Sequence, residues 1–341
     1  MTLANTNFRG RPLWQSLNSI ALLLLILPKY VFPGRPWRCA TSILRSTLAI
    51  LAVASSCLAT PAQQTASFQN AGLTLHYTIA GKGTPVVILS GGPGMDAAYM
   101  QPVADIVARH NTAILLDQRG TTGSMPATLD ATTITPELYL SDLEALRISL
   151  GYKQWIVLGH SAGALTAMRY AIEHPDHTQA LILLGTVPPR SATLGRMMDN
   201  VSVRLSPEVQ KQVAAIDSTH QSPDAKMAAE IRLLFAADFY DRDAAAKFAL
   251  TMTPETCHAL TTQLLQNANP SFDLTNGLAK LHIPTLIVQG RQDPLDPEMA
   301  SETRDAIPSA KLIILERAGH FSWLDSPTAF TSALQPFLAA Q

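Results

Sequence analysis

The chain has 341 residues but only three cysteines, 15% charged side chains and a formal net charge of −1. So even a balance builds no positive field for a polyanion, which argues against a nucleic-acid partner. Cys39 and Cys57 fall within residues 1–60; if that stretch is removed, Cys257 stands alone, and one thiol cannot close an internal bridge. Cys257 therefore reads as a small buried hydrophobe. No second downstream cysteine and no clustered histidines mark a metal site, and nothing implies a cofactor. Long apolar runs are also missing. Ser19 to Leu27 is nine residues with five leucines, too short to cross a hydrocarbon core of roughly 30 Å as a helix. There is no internal repeat and no low-complexity tract. With 47% hydrophobic residues, the sparse charge excludes a disordered chain and allows a large core.

The first 60 residues read differently from the rest. Arg35, Arg38 and Arg45 precede the small apolar stretch Ser46 to Ala54, and Ser55-Ser56-Cys57-Leu58-Ala59 follows as a small-residue cleavage region. That order is the secretory signal pattern. The expectation is a leader over 1–60, with the part before Arg35 an over-long start, and an exported (periplasmic or secreted) mature chain. If the leader is kept, it becomes a membrane anchor, the one membrane contact expected.

From about Ser67 short apolar runs alternate with helical patterns. Pro85 to Leu89, Ala113 to Leu116, Trp155 to Leu158, Ala180 to Leu184, Thr285 to Val288 and Lys311 to Leu315 are rich in Val, Ile and Leu and end at polar or Gly-rich turns. Near-continuous apolar strands require a sheet covered on both faces. Helical segments such as Pro136 to Ser149 and Ala162 to Glu173 separate them, so the fold class is α/β with a mostly parallel central sheet and helices on both faces. Leu73 to Ala80 alternates and predicts an antiparallel edge strand. Residues 188–278 contain no convincing strand and read as a helical insertion, which leaves 61–187 and 279–341 as the core.

Gly159-His160-Ser161-Ala162-Gly163 sits between a predicted strand and a predicted helix, the setting of a G-x-S-x-G nucleophile elbow. A serine hydroxyl needs a base. His320 in Ala318-Gly319-His320-Phe321 follows the last strand and can reach back across the strand ends. His160 adjoins the serine but is expected to point away, and His76, His174, His177, His220, His258 and His282 read as surface or satisfied core residues. Asp293, after the strand Thr285 to Val288, is the carboxylate expected to orient His320, with Asp296 its nearest rival; Ser…Asp…His is the chain order of this elbow type. Ser90-Gly91-Gly92-Pro93-Gly94 follows the first parallel strand, and the N–H groups of Gly92 and Ala162 are the expected oxyanion donors.

Together these residues resemble the α/β-hydrolase superfamily over about Ser67 to Leu338. Gly91-Gly92-Pro93-Gly94, Asp117-Gln118-Arg119-Gly120 with Gly123-Ser124, and Gly290-Arg291 with Asp293 and Pro297 resemble its proline iminopeptidase-like branch. The resemblance implies a helical cap, acyl-enzyme chemistry, and release of N-terminal proline from short peptides. Asp117 and Arg119 are read as a structural ion pair. Three departures stand out: Ser90 replaces the branch's usual histidine, the serine's neighbours are His160 and Ala162, and the insertion has no Trp. Glu208, Glu230, Asp238, Asp241 and Glu255 are available as amine anchors but read as solvated helix-face charge. The expected function is a serine hydrolase on a short peptide or small molecule: an iminopeptidase-like aminopeptidase, or alternatively a carboxylesterase or lactonase for small apolar acyl groups. A non-catalytic ligand-binding module on the same fold is the reading from another class.

Overall fold

The computed structural model describes residues 63–341; the expected leader, Cys39 and Cys57 lie outside the described residues. The strands are β1 (Gln64–Asn70), β2 (Leu73–Gly81), β3 (Pro85–Leu89), β4 (Thr112–Leu116), β5 (Trp155–His160), β6 (Thr178–Leu184), β7 (Thr285–Gly290) and β8 (Ala310–Leu315). They form one sheet in the order β1-β2-β4-β3-β5-β6-β7-β8. β1 and β2 are antiparallel to each other and β2 to β4, while β3 to β8 all run parallel. The expected antiparallel strand is thus present, but it is not the edge, because β1 pairs outside it.

The helices of the core are α1 (Gln101–Val107), α2 (Pro136–Ser149) and α3 (Ala162–Glu173). Between β6 and β7 come α4 (Gly195–Arg204), α5 (Pro207–Ile216), α6 (Pro223–Asp238), α7 (Arg242–Ala249), α8 (Ala259–Ala268) and α9 (Thr275–Leu278). The chain closes with α10 (Pro297–Ala306), α11 (Ser322–Asp325) and α12 (Pro327–Ala339). None of the described helices is long and apolar enough to cross a membrane.

Side chains alternate across a strand, and each parallel strand feeds two layers. Val86 and Ile88 of β3 pack with α1 and α12, whereas Val87 and Leu89 pack with α2, α3 and α10. The insertion helices start where the sequence supplies caps. Ser206 and Ser222 accept hydrogen bonds from Val209 N and Ala225 N, each followed by proline at the first helical position. Phe235, Phe239 and Phe248 of the insertion enter the same apolar cluster as Phe321 and Trp323, so Thr60–Gln341 forms one compact unit rather than a core with a detached cap.

The expected Asp117–Arg119 ion pair is not formed. Arg119 instead forks onto Asp142 of α2, with Nε at 2.8 Å from Oδ2 and Nη2 at 2.6 Å from Oδ1. The chain turns at Arg119, and the buried guanidinium takes the carboxylate that α2 offers. Both side chains are 2% exposed, so Asp142→Ala would strand a buried cation. A loss of about 3–5 kcal/mol of stability is expected, read as a drop in the midpoint of urea unfolding.

Candidate active site

Ser161 ends the tight turn between β5 and α3 with φ 54° and ψ −120°. A non-glycine residue there is strained and is held by its surroundings. The flanking glycines make the turn possible. A Cβ on Gly159 would stand 2.2 Å from the Gly163 carbonyl oxygen, and one on Gly163 would stand 2.5 Å from the Ser90 carbonyl oxygen. Ser161 N donates to Leu184 O at 3.0 Å, which ties the elbow to the end of β6. The hydroxyl makes no hydrogen bond among the described residues, and it is not sealed from solvent.

His320 and Asp293 are brought together as expected. His320 Nδ1 lies 2.9 Å and 3.0 Å from the two Asp293 carboxylate oxygens. A carboxylate only accepts, so Nδ1 carries the proton, and neutral His320 keeps a free lone pair on Nε2. Asp293 is wholly buried and is held by two more donors, Gln289 Nε2 at 2.7 Å and Leu295 N at 2.8 Å. Asp296, the rival, is committed elsewhere: it caps α10 through Met299 N at 2.9 Å and pairs with Arg196 at 2.8 Å. The Gly92 and Ala162 amides have no protein acceptor among the described backbone hydrogen bonds.

A support network behind these groups was not visible in the sequence. His160 packs ring to ring with His320 at 4.5 Å between centroids. Burial, reinforced by His320 whenever that ring is protonated, holds the His160 imidazole well below its ordinary value, so the ring is neutral. Its Nε2 faces the His320 carbonyl at 3.2 Å and must donate. Nδ1 therefore accepts, from the Tyr99 hydroxyl at 2.8 Å, and Tyr99 in turn accepts from the Gly91 N–H. The loop before Gly92 is thus linked through two buried rings to the loop that carries His320. Gln118 Nε2 fixes the same glycine loop through Ser90 O at 2.9 Å and Ser90 Oγ at 2.8 Å.

Asp238, expected as solvated charge, ends α6 beside His320. Its carbonyl accepts from His320 N at 2.7 Å. Lost hydration pushes its carboxyl up to about 6, against the pull of His320, with Asp293 adding to the rise and Arg204 opposing it. Burial lowers the His320 pKa, but Asp293 and then Asp238 outweigh it, and the net direction is upward from 6.5. A base must be neutral, so kcat/KM is expected to fall as pH drops through this raised value. Asp238→Asn removes one of the charges that hold the proton on His320. The acid limb should move to lower pH, as read from a kcat/KM profile on one substrate. The backbone bond to His320 N is unaffected by that substitution.

The other histidines and the cysteine stay out of the site. Cys257 is buried, and burial raises its thiol pKa. His258 bonds Asp96 at 3.0 Å. His174 and His177 do come together with Glu144, a grouping the sequence spacing did not suggest. Arg147 bonds both oxygens of that carboxylate, and Tyr170 and His177 both reach its Oε2, at 2.9 Å and 3.2 Å, so the grouping is accounted for as an ion-paired cluster.

A cavity of about 220 Å³ opens beside the elbow, lined by Ser90, Gly94 and Ala162, by apolar side chains such as Leu140, Leu165, Val187 and Leu265, and by the polar Gln118, Thr166, Gln266 and Asn269. Arg169 of α3 also lines it. Burial draws this guanidinium below its usual value, with Glu137 and Glu173 opposing.

A family model described as "alpha/beta hydrolase fold" matches residues 84–327. A Neisseria gonorrhoeae protein named proline iminopeptidase is 30% identical over 278 residues, 72% of this chain and 86% of that one. A Pseudomonas savastanoi pv. phaseolicola protein, provisionally named carbamate hydrolase RutD, is 28% identical over 265 residues, 75% of this chain and 95% of its own. The solved structure of an esterase from Exiguobacterium antarcticum superposes with a TM-score of 0.63 at 22% identity, over 80% of this chain and 98% of that one.

Proposed function

We propose, from the premise that this chain belongs to the alpha/beta hydrolase fold family, that it is a serine hydrolase working through an acyl-enzyme. The observation that carries this reading is the Asp293–His320 pair, whose fixed tautomer leaves Nε2 as a base on the loop that follows β8. In the proposed cycle Ser161 Oγ attacks a carbonyl carbon and passes its proton to His320. The imidazolium, stabilised by Asp293, returns that proton to the leaving group, and water then releases the acyl group by the same route. The free amides of Gly92 and Ala162 are proposed to hold the oxyanion.

For substrate, the cavity supports an ester or lactone with a small apolar acyl group. Its lining is mainly apolar, and the Arg169 charge would repel an ammonium entering beside it. The second reading, an iminopeptidase-like aminopeptidase, is supported by the similarity to proline iminopeptidases and by Asp238, a carboxylate close enough to His320 to anchor an amine. Comparing short-chain nitrophenyl esters with prolyl anilide, with Ser161→Ala as control, separates the two. Serine-dependent ester cleavage alone is expected. Prolyl anilide cleavage that is abolished by blocking the amine, and by Asp238→Asn, would install the aminopeptidase instead. A mature chain beginning after residue 60 and exported from the cytoplasm is proposed on the leader pattern alone.

A further inference from the structure

Ala162, Leu165, Thr166 and Arg169 recur along α3 at helical spacing, and all four line the cavity. At 1.5 Å per residue, this stripe carries the cavity about 10 Å from the Ala162 amide to Arg169. Across from it stand apolar side chains such as Leu140, Val187 and Phe272. At the far end the Arg169 guanidinium makes one hydrogen bond, from Nη2 to the neutral amide oxygen of Asn269 at 2.6 Å. No carboxylate lies within 4.0 Å of it among the described residues. Other inward arginines are satisfied: Arg119 by both oxygens of Asp142, Arg204 by the carbonyls of Ala237, Gln292 and Asp293. Glu137 and Glu173, the acidic groups nearest Arg169, are exposed. A guanidinium offers five donors in a planar fork suited to a carboxylate. Arg169 is half-buried, and most of its donors stay free of protein partners among the described residues where the cavity reaches it, so a carboxylate entering there would meet a fork that is not already engaged.

We infer that this cavity takes an acyl group with an apolar chain ending in a carboxylate, and that Arg169 is the residue that binds that carboxylate. The inference rests on the serine-hydrolase reading and names its substrate class, half-esters of dicarboxylic acids. Ser161 Oγ forms a bond to the ester carbonyl carbon, and the bond from that carbon to the alcohol oxygen breaks. His320 carries the serine proton to the departing alcohol. Water then cleaves the acyl-enzyme and frees the dicarboxylic acid. Arg169 holds the distal carboxylate throughout and takes no proton.

The test compares kcat/KM for mono-nitrophenyl esters of glutaric, adipic and suberic acids with the matching esters that lack the distal carboxylate. The wild-type protein should prefer the carboxylated member of at least one pair by tenfold or more, and less so at high salt. Arg169→Met should cut that ratio at least tenfold, and Arg169→Lys should give an intermediate ratio. Serine-dependent turnover with no carboxylate preference at any length would overturn the inference while leaving the hydrolase reading intact. So would a preference that Arg169→Met and Arg169→Lys leave unchanged. A second readout needs no turnover: monomethyl suberate titrated into Ser161→Ala protein should bind, and adding Arg169→Met should weaken it at least tenfold. Arg169-dependent binding without turnover of any ester would keep the carboxylate site and sink the hydrolase reading. Absence of binding alongside an absent preference would remove the site.

Discussion

Ser161→Ala is expected to fold as the wild type does and to lose at least about 10⁴-fold in kcat, the scale seen when a triad nucleophile is removed. The two halves of this expectation have separate physical grounds. The hydroxyl makes no hydrogen bond among the described residues, so alanine breaks no hydrogen bond and leaves no buried partner newly unpaired. The strained backbone at φ 54° is set by the close approach of Gly159 and Gly163, not by the side chain. Stability should therefore stay within about 0.5 kcal/mol, as for substitutions that touch no packing or hydrogen-bond partner. The chemistry has no such reserve under the proposed mechanism. There, without Oγ, His320 Nε2 would have nothing to deprotonate except water, and no acyl-enzyme could form. Thermal melting and turnover on a nitrophenyl ester, measured on the same preparation, check both halves. Covalent labelling of the wild type by a serine-directed phosphonate, absent in the alanine variant, would exclude the ligand-binding reading. Retained turnover would overturn the assignment of Ser161.

Much of this was legible in the sequence because the relevant signals are local. Strand-length apolar runs marked β3 to β8, and the elbow, Asp293 and His320 each follow a strand whose end the sequence declares. β1 escaped because Gln-Thr-Ala-Ser-Phe-Gln-Asn has one large apolar residue, Phe68, and a strand paired on one side needs to bury little more. The supporting groups escaped for a different reason. Tyr99 meets His160 across 61 positions, and Arg169 meets Asn269 across 100. Such pairs are fixed by topology, and no short spacing announces them. Arg119 shows the hazard directly: the neighbouring Asp117 suggested a partner, and the fold supplied Asp142 instead. Gln289 sits just past the apolar run Thr285 to Val288, where the strand continues to Gly290; its amide holds both Asp293 and the Thr186 amide. Asp238 left no trace, because its solvated neighbours on the insertion have the same composition.

Asp293→Asn is expected to cost about 10⁴-fold in kcat with only a modest change in fold, by misplacing a proton. Three donors converge on the carboxylate: His320 Nδ1–H, Gln289 Nε2–H and Leu295 N–H. An asparagine amide turns one of its two positions into a donor. If that NH₂ faces Gln289 or Leu295, two donors collide. If it faces His320, the ring relieves the clash by adopting the other tautomer, with Nδ1 accepting and Nε2 protonated. Nε2 is then no longer a base, and Ser161 keeps its proton. The lost anion also removes the largest force raising the His320 pKa, so the acid limb of the residual activity should move to lower pH. Residual turnover should exceed that of Ser161→Ala, because the nucleophile and the two free amides remain. A loss below tenfold would mean that another carboxylate orients His320. Asp296 is already taken by Arg196 and the start of α10, which leaves Asp238. The double variant Asp238→Asn with Asp293→Asn would then lose what Asp293→Asn alone retained.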